Sequence, residues 1–291
     1  MHPVTRFAPS PTGPLHLGHA WSALLAHDFA RSRDGTFQLR IEDIDPGRAR
    51  AQHVDGIFED LIWLGLEWDG EVVYQSERLD LYAEALEGLK ARGLVYPCFC
   101  TRAEIAAEVA ASAAAPHGEA GFHYPGTCRS LSASERERLA AERPCAWRLD
   151  VAAAVASLGG EALTWTDATA GEVVARPDTF GDVVIARKDA PASYHLAVTV
   201  DDAAQGISDI VRGRDLFAST HVHRLLQALL DLPVPLYHHH PLLVDAEGRR
   251  LAKRDGAPTL ADLRASGIDP AGLVAVLRHG HLPAGYSRSA P

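Results

Sequence analysis

The sequence predicts an α/β fold: a doubly wound parallel sheet, interrupted by an inserted α+β module and followed by a short C-terminal helical segment. Three observations carry this. Strand-like stretches at Val4–Ala8 and Phe37–Ile41 flank a helical run, giving β–turn–α–β. After about residue 190 strands and helices alternate again. Residues between these two stretches read differently, with an Ala-rich helix, a Gly/Pro/His loop and short strands. The expected divisions are 1–94 and 188–256 for the halves of the sheet domain, 95–187 for the module and 257–291 for the last segment.

Each element has a local reason. Arg6-Phe7-Ala8-Pro9-Ser10-Pro11-Thr12-Gly13 reads as a strand entering a rigid turn. Ala20–Arg33 is helical, with Trp21, Leu24, Leu25 and Phe29 near the spacing of a buried stripe. Asp28 interrupts that stripe, so it lies at its edge or has a polar partner. Phe37, Leu39 and Ile41 alternate with Gln38, Arg40 and Glu42 as a strand. Val54, Ile57, Phe58, Leu61 and Ile62 line one face of a second helix, stopped by Gly65. Ser76 is placed to cap a third, with Leu79, Tyr82, Leu86 and Leu89 inside and Gly93 after it. Thr101–Glu104 and Ser132–Glu135 have capping-box form. Residues 145–187 look strand-rich. Ile207–Val211, Thr220–Leu230 and Leu242–Val244 read as strand, helix and strand, and Asp269-Pro270 opens a last helix.

Composition narrows the class. The chain has 291 residues, 47% of them hydrophobic and 23% charged, ordinary values for a globular protein. It shows no leader pattern and no apolar run of membrane-spanning length, which points to a cytoplasmic enzyme with no membrane partner; a monomer is the expectation. The net charge of −10 means that a nucleic-acid partner requires a local basic patch. Four cysteines in this length do not make a disulfide scaffold.

Two short stretches carry the chemistry. Pro14-Leu15-His16-Leu17-Gly18-His19 sets two histidines around a small residue at a helix mouth. A helix start presents free N–H groups and the positive end of the dipole, which favour phosphate. Gly18 lets a ligand approach the backbone. Arg249-Arg250-Leu251-Ala252-Lys253-Arg254 is a dense basic loop suited to a phosphate chain. Cys98, Cys100 and Cys128 are spaced as thiolate ligands for Zn²⁺. Spacing alone takes His123 as the fourth ligand, with Tyr124 or His117 behind it. Cys145, beside Trp147, reads as core, and His238-His239-His240 as strand-end surface or packing.

His16–His19 together with the basic loop resembles the paired signatures of class I aminoacyl-tRNA synthetases. Arg6–Gly13, Arg40–Asp45, Trp63–Asp69, Tyr194-His195-Leu196-Ala197, Val200-Asp201-Asp202 and Ile210-Val211-Arg212-Gly213 are similar to the glutamyl branch, in the family's order. The basic loop departs from the pattern at Arg250, Ala252 and Arg254; Lys253 matches. The resemblance implies a Rossmann-like catalytic sheet. It implies that Arg6, Phe7, Ala8, Pro9, Ser10, Glu42, Tyr194 and Arg212 surround L-glutamate. It implies that His16, Gly18, His19 and Lys253 bind ATP, with Mg²⁺, and that His16, His19 and Lys253 are catalytic. Residue chemistry agrees, since two arginines suit two carboxylates and Glu42 suits the ammonium.

Within that branch the chain resembles the glutamyl-Q tRNA(Asp) synthetase family, which carries a C-x-C…Y-x-x-x-C zinc pattern. This resemblance implies Cys98, Cys100, Tyr124 and Cys128 as the ligands of one structural Zn²⁺. About 35 residues follow the basic loop, against a large anticodon-reading domain in glutamyl-tRNA synthetases proper. The implied reaction is ATP-dependent transfer of glutamate to the queuosine base in the anticodon of tRNA(Asp). Arg212, Arg214, Arg224 and the 249–254 loop are candidate RNA contacts. The competing readings are a minimal enzyme charging the 3′ end of tRNA(Glu) and a non-catalytic RNA-binding paralogue.

Overall fold

The computed structural model describes residues 2–101, 103–105, 117–118, 121–122, 124–245, 258–279 and 286–289. Its first half runs β1 (Val4–Phe7), α1 (Leu17–Arg31), β2 (Thr36–Ile41), α2 (Ala51–Trp63), β3 (Val73–Tyr74) and α3 (Leu79–Ala91). β1, β2 and β3 pair in parallel, with Phe7 opposite Leu39 and Ile41 opposite Tyr74. Parallel strands are buried on both faces, and Phe7, Phe37, Leu39 and Ile41 join α1 in one apolar core.

α1 begins three residues before the expected Ala20, because His16 caps it. Asp28 has its polar partner: both carboxylate oxygens accept from Arg278 of α9 (Pro270–Arg278), which starts at Asp269 as expected. Two positions of the expected stripes face out. Ile62 is 67% exposed beside the inward Leu61, and Leu79 opens α3 beyond the core. Ser76 does not cap α3; its hydroxyl and amide both bond Asp43, and a 3-10 turn over Gln75–Glu77 precedes the helix.

The middle of the chain holds β4 (Val95–Cys98), β5 (His117–Gly118), β6 (Gly121–Phe122), α4 (Ala133–Glu142), β7 (Ala146–Leu149), α5 (Val151–Ser157), β8 (Thr164–Asp167), β9 (Gly171–Val174) and β10 (Val184–Ala186). β4, β7 and β10 form an antiparallel sheet. Both capping boxes close: Ser132 with Glu135, and Thr101 with Glu104. The Ala-rich helix expected after Thr101 falls mostly outside the described residues. α5 was not expected; Asp150 caps it by accepting the Ala153 amide at 2.9 Å.

The second half is α6 (Tyr194–Ala204), β11 (Asp209–Gly213), α7 (Ser219–Leu229), β12 (Leu236–His240), β13 (Leu243–Asp245) and α8 (Leu260–Ala265), with β14 (Tyr286–Arg288) pairing β13 after α9. β11 and β12 are parallel, and β12 takes β8 as a further parallel neighbour. Residues 95–187 therefore contribute strands to this sheet as well as a small sheet of their own. The two halves meet where Ser208 N donates to Val4 O at 3.1 Å and Val4 N donates to Ser208 Oγ at 2.9 Å. No helix among the described residues is long and apolar enough to cross a membrane.

Candidate active site

The carboxyl ends of β1 and β11 and the start of α1 surround a cavity of about 600 Å³. Ligands of doubly wound sheets bind at such ends. The cavity gathers the sequence-derived residues from both halves: Arg6 to Ser10, His16, Gly18, His19, Glu42, Tyr194 and Arg212 all line it. Lys253 and the whole 249–254 loop lie outside the described residues.

At the α1 end the two histidines cap the helix reciprocally. Gly18 N–H donates to His16 Nδ1 at 3.1 Å, and His16 N–H donates to His19 Nδ1 at 3.2 Å. The Gly18 amide is thus not free for phosphate; the imidazoles take its place. Each Nδ1 is an acceptor, so the proton of each neutral ring is on Nε2. Burial, aided by the His16 ring, lowers the His19 pKa to about 3. Gly18 also suits the packing, since a Cβ there would sit 3.0 Å from His16 Cε1 and the ring would have to give way.

At the opposite end are three buried arginines. Arg6 binds Asp202 bidentately, Nε to Oδ1 at 2.9 Å and Nη2 to Oδ2 at 3.2 Å. Arg40 donates to the same Oδ1 at 2.8 Å and to Glu42 Oε1 at 3.3 Å. Arg6 is therefore partly neutralised before any substrate arrives. The Glu42 side chain is only 8% exposed, and desolvation raises its pKa despite Arg40 and Arg6. Burial pushes the Tyr194 phenol up to about 12, so it stays neutral.

Arg212 differs from the other two. It is 4% exposed, and its partners are all uncharged: His239 Nε2 (3.1 Å), His223 Nδ1 (3.4 Å), Thr220 Oγ1 (2.7 Å) and Leu216 O (3.2 Å). Among the described residues no carboxylate pairs with it. A buried cation of this kind is costly unless an anion completes it. Being buried, Arg212 does not belong to an exposed RNA-facing patch, and Arg224 is half-buried with Nε on Thr164 O; Arg214 is exposed.

Asp202, Asp201 and His223 are not among the residues expected at the site. The only signal was a pair of acids, Asp201-Asp202, on an otherwise apolar helix face. The histidine run does not converge on one point: His238 bonds Asp209, His239 bonds Asp167 and Arg212, and His240 bonds Ser22.

Away from the cavity, Cys98, Cys100 and Cys128 bring their sulfurs within 4.8 Å of one another. The Tyr124 hydroxyl lies 3.5 Å from Cys98 Sγ and 3.6 Å from Cys100 Sγ. This donor set fits a tetrahedral Zn²⁺. His123, the candidate taken from spacing alone, and the His117 side chain are outside the described residues. Cys145 is half-buried against this cluster.

A sequence model of the tRNA synthetases class I (E and Q), catalytic domain, matches residues 3–287. The chain belongs to this family. It is 50% identical to a glutamyl-Q tRNA(Asp) synthetase of Rhodobacter capsulatus over 92% of this chain and 97% of that one. It is 46% identical to that of Deinococcus radiodurans, over 94% and 87%. A crystal structure of a glutamate tRNA ligase from Elizabethkingia meningosepticum, in complex with its amino acid, superposes with a TM-score of 0.77 at 28% identity. That superposition covers 95% of this chain and 60% of the other. The class I synthetase fold, with its parallel sheet, is thus common to both.

Proposed function

We propose that this chain activates L-glutamate with ATP and transfers it to the queuosine base in the anticodon of tRNA(Asp). The observation that carries the reading is Arg212: a buried guanidinium on the cavity wall whose described partners are all neutral, and which a substrate carboxylate would complete. The names of the relatives support the acceptor, since proteins matched over nearly their whole length are glutamyl-Q tRNA(Asp) synthetases.

In this reading Arg212 and Arg6 hold the carboxylates, and Glu42 with Tyr194 holds the ammonium, inside the wall formed by Phe7, Ala8, Pro9 and Ser10. The α-carboxylate oxygen attacks the α-phosphorus of ATP; the bond to the pyrophosphate oxygen breaks, leaving glutamyl adenylate. No general base is needed, because the nucleophile is already an anion. The Nε2–H groups of His16 and His19 donate to phosphate oxygens, and Lys253 adds a charge from the basic loop. Mg²⁺ bound with ATP would supply further positive charge there. A hydroxyl of the queuosine ring diol then attacks the activated carbonyl, and AMP leaves.

Cys98, Cys100, Tyr124 and Cys128 would hold Zn²⁺, which when bound ties β4 to the loop before α4 without entering the chemistry. Residues 95–187 act as the module around that tie, 1–94 and 188–256 as the catalytic halves, and 257–291 as the closing segment. The test is to map labelled glutamate on bulk tRNA from cells that make queuosine and from cells that do not. Label on the anticodon nucleoside only in the first supports the reading. Equal transfer to both, with label on the 3′-terminal adenosine, replaces it by a tRNA(Glu)-charging enzyme.

A further inference from the structure

Arg212 has five N–H donors, and the neutral groups around it occupy four of them. Which way the fork faces is therefore set by those acceptors. The Nε–H goes to His239 Nε2, which has to be unprotonated to accept it. The ring proton is then on Nδ1, which points at Asp167 Oδ2 at 2.7 Å. Asp167 is itself held as an anion: its other oxygen accepts the amides of Thr169 and Ala170 at 2.9 Å each.

The imidazole has no freedom to turn away. Its ring lies parallel to that of Tyr237, two residues earlier on the same strand face, and Trp165 closes on it edge-on. Asp167 reaches the site because β8 joins β12 with Asp167 opposite Tyr237. Asp167 and His239 are both 2% exposed in their side chains. His239 stays neutral at physiological pH, as burial and the Arg212 charge lower its pKa to about 4.

We infer that Asp167 and His239 are positioning residues for glutamate selection: the carboxylate fixes the imidazole tautomer, and the imidazole fixes the Arg212 fork. The inference rests on the reading of Arg212 as a partner of the substrate carboxylate. A residue from the middle of the chain thereby tunes a site built by the two catalytic halves.

The test is ATP–pyrophosphate exchange with the full chain, measuring KM for glutamate and for ATP separately. Asp167→Asn removes the anion, His239→Phe removes the acceptor, and His239→Gln keeps an acceptor of similar reach. Losing one hydrogen bond to a charged group should raise the glutamate KM about tenfold in Asp167→Asn and His239→Phe. The ATP KM should stay within about twofold, because the nucleotide does not use this bond. His239→Gln should recover most of the loss. Should Asp167→Asn fail to fold, the His239 pair decides alone. An unchanged glutamate KM in His239→Phe overturns the inference. So does a parallel rise for ATP and glutamate that His239→Gln shares, since that marks general damage. Absence of glutamate-dependent exchange in the unaltered protein overturns the reading of the site itself.

Discussion

The rings of His16 and His19 stack with centroids 3.8 Å apart, and each histidine accepts a backbone N–H at the same helix end. This reciprocity explains the glycine between them. A side chain at Gly18 would press on the His16 ring.

Gly18→Ala is accordingly expected to displace the His16 imidazole while leaving α1 intact. Small misplacements of groups that meet the transition state cost on the order of 10- to 100-fold in rate. The exchange rate should fall by that much, with little change in melting temperature. A full rate in the variant would remove His16 from the chemistry.

Substituting Arg212 tests the substrate carboxylate. Arg212→Lys keeps the charge but loses the planar fork, so the glutamate KM should rise by about 10- to 100-fold. Preference for glutamate over glutamine should shrink in the same variant, because the neutral amide never satisfied the cation. Competition assays with both amino acids measure it, and an unchanged preference would separate Arg212 from selection.

The buried histidines make the fold acid-sensitive. His19 titrates at about 3, and His195 and His239 at about 4, all below the ordinary 6.5, chiefly because burial disfavours their cations. Below pH 6.5 the unfolded chain therefore binds more protons than the folded one. Stability contributed by these groups is complete above about pH 6.5 and is lost progressively as pH falls toward 4 for His195 and His239 and toward 3 for His19. Urea midpoints should be clearly lower at pH 5.0 than at pH 7.5. Equal midpoints would contradict the assignment of neutral, buried rings.

The cysteine cluster should bind one Zn²⁺ per chain. Burial pushes the Cys100 thiol up to about 12, so metal binding has to displace its proton, and affinity should fall as pH is lowered. Metal analysis after chelator-free purification checks occupancy. Cys100→Ser should lose the metal yet retain glutamate-dependent exchange, because the cluster is not part of the cavity lining. Loss of exchange equal to that of a cavity variant would tie the metal to the chemistry.

Lys253 belongs to the basic loop and is expected to stabilise charge on the phosphates. Removing one such preorganised donor costs on the order of 10²- to 10³-fold in rate. Lys253→Ala should show this in kcat, with circular dichroism unchanged. An unaltered kcat would reduce the loop to a solvated turn.

What the sequence determined by itself was local and periodic. Alternation at Phe37, Leu39 and Ile41, the glycine stops after α2 and α3, and the capping pairs at Ser132 and Asp269 depend on neighbours within a turn or two. Short motifs in order along the chain were enough to point to the cavity residues, because each motif is a contiguous piece of backbone. Tertiary structure decided the rest. Periodicity put Ile62 and Leu79 inside, but in the folded chain both are exposed. It could not show that Arg6 and Arg40 share Asp202 from 196 and 162 residues away, or that Arg212 is left with neutral partners. Nor could it pair Asp167 with His239, 72 residues away, because a buried charge chooses its partner by sheet register and burial. Those are properties of space that no spacing along the chain encodes.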